Sequence, residues 1–166
     1  MRVIKRCSRF IVIFWVLLVM GCATQLAPKY DKALFDGVTD TNVKIMELFA
    51  SVASGTESST CGERESSYNS AIGSVDALAL QSKARPVPEN SVTEKVNVYL
   101  ESRGVGTMVG GVAPSASALE EVSKNITKMK EVDCKTGLTD GAVAIFKNAV
   151  IISMDQAITY ESFLDR

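Results

Sequence analysis

Two hydrophobic patterns divide the chain. The first is continuous: Phe10 to Met20 (FIVIFWVLLVM) is eleven apolar residues without a break. The second is periodic and begins near Tyr30. From there to about Ala53, apolar residues stand at Leu34, Val38, Ile45, Leu48 and Val52, with Phe35, Phe49 and Ala53 beside them. Gaps of four, seven, three and four put them on one face of a long amphipathic helix. Asp31, Lys32, Asp36, Asp40, Asn42, Lys44 and Glu47 fall on the other face. Gly37 is the weak point of the pattern.

The next elements follow the same rule. Ser54 to Ser59 (SGTESS) is turn composition, and Thr60 and Glu63 stand at the spacing of a capping box. A second helix is expected to turn Tyr68, Ile72, Val75, Leu78, Ala79 and Ser82 inward and to end before Pro86 and Pro88. Residues 86–114 are irregular. Ser91 and Glu94 make another box, Val96, Tyr99 and Leu100 suggest a short helix to about Ser102, and the stretch 104–114 (GVGTMVGGVAP) is glycine-rich. No strand precedes that stretch and no Gly-Lys-Ser/Thr follows it, so it reads as a loop and not as a phosphate cradle.

A third helix is expected with Ser115 or Ser117 as its cap, the latter boxed with Glu120. Leu119, Val122, Ile126, Met129 and Asp133 step by three and four, a seam whose apolar members end at Met129. Gly137 suits a left-handed stop. Thr139 or Asp140 then opens a fourth helix running to about Phe163. Its middle (AVAIFKNAVIISM) is apolar nearly all round. Such a helix is either the most buried of its bundle or covers a second surface as well, and the first reading is preferred. No repeat, long coiled coil or strand alternation stands out. The expectation is an all-α, up-down-up-down four-helix bundle with an extra short helix in the long connection between helices 2 and 3.

The continuous run has its own logic. Arg2, Lys5, Arg6 and Arg9 precede it and Gly21-Cys22 follows at once. A basic head, a short apolar run and a small residue at the cut make a secretory signal peptide, too short for a comfortable membrane span. Val19-Met20-Gly21-Cys22 resembles the lipobox of bacterial lipoproteins, with Met less usual at its place than Ala or Ser. The resemblance implies cleavage before Cys22, diacylation of its thiol and acylation of the new amino terminus. With Ala23 and not Asp next, it also implies the outer membrane, lipid-anchored and facing the periplasm. Residues 1–21 are then signal peptide, 22–29 the acylated cysteine and a tether reaching at most about 25 Å, and 30–166 one helical domain.

Removing the signal peptide changes the charge and the cysteine count. Lys plus Arg falls from 18 to 14 against 19 Asp plus Glu, so the chain's −1 becomes −5. An acidic domain argues against nucleic acid and against an electrostatic hold on anionic lipid. Of four cysteines, Cys61 and Cys134 remain. Cys61 follows one short turn and Cys134 precedes the other. An up-down-up-down order brings both turns to one end, where a disulfide is expected; two buried free thiols are the alternative.

The chain has no histidine, which removes His-based nucleophile pairs and His-ligated metals. Asp36 with Asp40, and Glu120 with Glu121, are paired carboxylates, but a solvated face is the simpler reading. Arg64, Arg85 and Arg103 do not cluster by sequence. The aromatics Tyr30, Phe35, Phe49, Tyr68, Phe146 and Phe163 are expected mostly in the core. No catalytic, cofactor or metal site is expected. The reading is an envelope lipoprotein that acts by binding or scaffolding, held to the membrane by its acyl chains and meeting a protein partner. A bundle carrying a small apolar ligand is the alternative, and an enzyme the weakest.

Overall fold

The computed structural model describes residues 27–88 and 112–165, together with Glu94, Lys95, Val98 and Ser102. The described residues form four long helices: α1 (Lys32–Ser51), α2 (Cys61–Lys83), α3 (Pro114–Thr136) and α4 (Asp140–Phe163). A 3₁₀ turn at Ser58–Thr60 leads into α2. Glu94, Lys95, Val98 and Ser102 are helical, within the stretch expected to hold a short helix. The expected Ser91 box and the glycine-rich residues 104–111 lie outside the described residues, as do the expected signal peptide (1–21) and Cys22.

The helices close into a ring. α1 packs on α2 and α4, and α3 packs on the same two, with the α2–α3 and α3–α4 seams the most extensive. α1 and α3 face each other across the core, as do α2 and α4. The fold is thus an all-α four-helix bundle, and the expected faces fill its centre. Leu34, Val38, Ile45, Leu48, Phe49 and Val52 of the α1 region are buried, as are Leu119, Val122, Ile126 and Met129 of α3. Gly37 has a use here: a Cβ on it would sit 2.8 Å from Leu78 Cδ2, so its absence lets α2 close on α1.

Several local expectations fail. Thr60 makes no capping bond to α2; its hydroxyl donates to the Glu57 carbonyl and accepts from Arg64. Neither Ser115 nor Ser117 caps α3, which starts on Pro114 as its first residue, where the missing N–H costs nothing. Ser115 is buried and bonded to other helices. Ile72 is only half-buried, and Ala71 takes the core position. Asp31 caps α1 by accepting from Leu34 N, and Thr139 caps α4 by accepting from Ala142 N.

The largest correction concerns α4. It is not the most buried helix: Val143, Val150, Met154 and Ala157 face the core, but Ile145, Ile151 and Ile152 are exposed. Phe163 is also exposed, although it was expected in the core. The preferred reading of its all-round apolar middle thus fails, and part of that apolar surface faces outward.

Candidate functional site

Both short turns lie at one end of the bundle, and they dock on each other. Thr56 N donates to the Leu138 carbonyl at 2.8 Å, and Leu138 N donates to Thr56 Oγ1 at 2.9 Å. Gly137 turns there at φ 79°, and a Cβ on it would lie 2.3 Å from the Thr56 carbonyl oxygen. Immediately beside this contact Cys61 and Cys134 are disulfide-bonded, with Cα atoms 5.0 Å apart. Helix order and turn length alone bring the two cysteines together, since each borders one of the turns.

Next to Cys134 is a fully buried carboxylate. Asp133 continues the α3 seam one turn past Met129. Arg64 Nε and Nη2 each donate to it at 2.8 Å, to different oxygens. Tyr68 donates its hydroxyl at 3.0 Å and Thr56 donates a fourth bond. Arg64 is itself held by Thr60 Oγ1 at 3.0 Å and the Glu57 carbonyl at 3.3 Å. Burial works to raise the Asp133 pKa, but the bonds from Arg64, Thr56 and Tyr68 outweigh it and hold the carboxyl below its usual range. Burial and, after it, the bond to the Asp133 carboxylate push the Tyr68 hydroxyl up, against a lowering influence of Arg64. Asp133 is therefore an ionised acceptor with its lone pairs engaged, and it ties α2, α3 and the first turn to each other.

A second buried ion pair closes the opposite end. Arg85, just past α2, grips Glu161 of α4 with both terminal nitrogens, Nη1 to Oε2 at 2.9 Å and Nη2 to Oε1. Ser115 donates to the same carboxylate and shares a 2.7 Å hydroxyl contact with Ser82. Glu161, Ser82 and Ser115 are fully buried. Arg64 and Arg85 are 21 positions apart, about 30 Å along the helix direction. The two clusters thus sit at opposite ends of one bundle and form no common site.

The other carboxylates behave as a solvated face. Asp36 is exposed and pairs with Lys32 at 2.6 Å; Asp40 is exposed beside it. Glu120 meets Lys83 at 3.2 Å, and Glu121 meets Lys124 at 2.6 Å. No group of three metal-ligating side chains occurs among the described residues.

Periodicity put Asp133 on the α3 seam without a role, did not single out Glu161, and left Arg64 and Arg85 unclustered. One signal was present: Asp133 falls in register with Leu119, Val122, Ile126 and Met129, so a charge stood at a core position and required a buried partner. Nothing local marks Glu161 in the same way, because α4 is apolar on several sides.

What remains open to a partner is surface. Along α4 the side opposite the core carries Ile145 at 72% exposure and Ile152 at 60%. By length and composition α4 also qualifies as a membrane-crossing helix, although here one side of it is packed in the bundle. Compared with family models, with curated proteins and with solved structures, the chain matches none.

Proposed function

We propose that this protein is a lipid-anchored envelope lipoprotein that works by binding or scaffolding and not by catalysis. The observation that carries the reading is the order of four features in the first 22 residues: basic head, eleven-residue apolar run, Gly21, Cys22. The folded domain supports it in two ways. Its buried carboxylates, Asp133 and Glu161, are each consumed by an arginine and hydroxyls, which leaves them poor general bases. Its disulfide suits an oxidising compartment such as the periplasm. With Ala23 after the cysteine, the outer membrane is the proposed address, and a protein of the envelope the proposed partner.

Replacing Cys22 by Ala tests this. Metabolic labelling with a fatty acid marks the wild-type chain, while the variant stays unlabelled and retains its signal peptide. Equal labelling of both chains refutes the anchor.

A further inference from the structure

α4 differs from its neighbours in what it shows to its surroundings. Beyond its packed side α1 carries Lys32, Asp36, Asp40, Lys44 and Glu47, and α3 carries Glu120, Glu121, Lys124, Lys128, Glu131 and Lys135. Between Gly141 and Tyr160, α4 has only Lys147 and Asp155. At 100° per residue the line opposite its core positions runs through Ile145, Ile152 and Thr159, with Asn148 and Gln156 beside it, and ends at Phe163. No charge stands on that line. Water does not require such a surface, so its composition points to a covering partner.

The position of the chain's start says which partner. Pro28 is buried; Gln81 donates to Asp31 at the start of α1 at 3.5 Å, and Arg85, four residues further on, donates to Glu161 near the end of α4 at 2.9 Å. The chain therefore enters the bundle beside the C-terminal end of α4, on the helix that packs against it. From Pro28 back to Cys22 is six residues, a reach of about 20 Å when extended. Ile152 stands eleven residues from Phe163, about 16 Å along the helix. A lipid anchor at Cys22 thus holds the bilayer within reach of the outer side of α4, starting from Phe163.

We propose that this side of α4 rests on the phospholipid surface, so that the bundle lies along the membrane and does not stand off it. The proposal rests on the reading of Cys22 as acylated. Ile145 and Ile152 enter the boundary between headgroups and acyl chains, and Asn148, Gln156 and Thr159 meet the headgroups. A bilayer contact needs little area when the anchor already supplies attachment. The mature chain is acidic, so the contact owes nothing to anionic lipid and is insensitive to salt.

The sequence provides its own reporter. Trp15 is the sole tryptophan and leaves with the signal peptide, so Ile152→Trp puts one tryptophan in the mature chain. Leu80→Trp is the control. Leu80 is 69% exposed, closer to the anchored end, and on the helix diagonal to α4. Both acylated proteins are placed in phosphatidylcholine vesicles with brominated acyl chains. The expected result is strong quenching at position 152, unchanged in high salt, and none at position 80. Equal quenching at both positions, or none at 152 in a vesicle-bound chain, overturns the proposal and leaves the anchor standing. A blue-shifted but unquenched position 152 that cross-links to a second copy overturns it in favour of self-association. Mass spectrometry showing an unmodified Cys22 overturns the anchor, and this proposal with it.

Discussion

Arg64 and Asp133 are 69 positions apart, and two parallel hydrogen bonds of 2.8 Å join them next to the disulfide. The pair crosses the α2–α3 seam where the two turns dock. One small region therefore carries a covalent bond, a bidentate ion pair and a backbone contact between the two halves of the chain.

The ion pair makes stability depend on pH in a stated direction. The Asp133 carboxyl has a lower pKa folded than unfolded, so the folded protein binds its proton less readily. Its contribution is complete above the unfolded value of about 3.9 and is lost as pH falls through the folded one. Asp133→Asn should lower Tm at pH 7, and the gap to wild type should narrow as the pH falls from 4 toward 2. A gap that stays constant over that range shows that Asp133 does not titrate there.

Removing one member of the second pair should cost more than removing both. Glu161→Ala leaves Arg85 and Ser115 buried without their acceptor, and about 3–5 kcal/mol of stability should be lost. Arg85→Met with Glu161→Leu replaces the pair by apolar volume and should lose much less. Urea unfolding at constant m measures both.

Two glycines should respond with opposite signs. Gly137→Ala forces a positive φ on a side chain and drives its Cβ into the Thr56 carbonyl, so a loss of more than about 1 kcal/mol is expected. Gly73 is inside α2 with nothing within 4 Å of an added Cβ. Gly73→Ala should gain about 0.5–1 kcal/mol. Thermal melts of the two variants beside wild type decide both signs.

The disulfide closes 73 positions of chain. Cys61→Ser with Cys134→Ser should cost about 2–4 kcal/mol and leave the helical content unchanged. Before any mutation, denatured mature protein should bind no thiol reagent until it is reduced. Two reactive thiols without reduction exclude the bridge.

Helix positions, the Gly137 stop and the meeting of the cysteines were legible in the chain itself. Each depends on local information: the three-and-four spacing of Leu119, Val122, Ile126 and Met129, a residue that tolerates positive φ, and the lengths of two turns. The side-chain caps of α2 and α3 were not, because hydroxyls such as those of Thr60 and Ser115 choose between a helix N–H and other polar partners. For Thr60 the competitor was Arg64, itself drawn to Asp133 on another helix; for Ser115 it was Glu161, 46 positions away. Periodicity records that a residue faces inward but not what it meets there, so Asp133 could be placed on the seam while Arg64 could not be named as its partner. The exposure of α4 was decided at the same level. Composition shows how apolar a helix is, whereas the ring of four determines how many of its sides are covered, and in this bundle α4 has neighbours on only two.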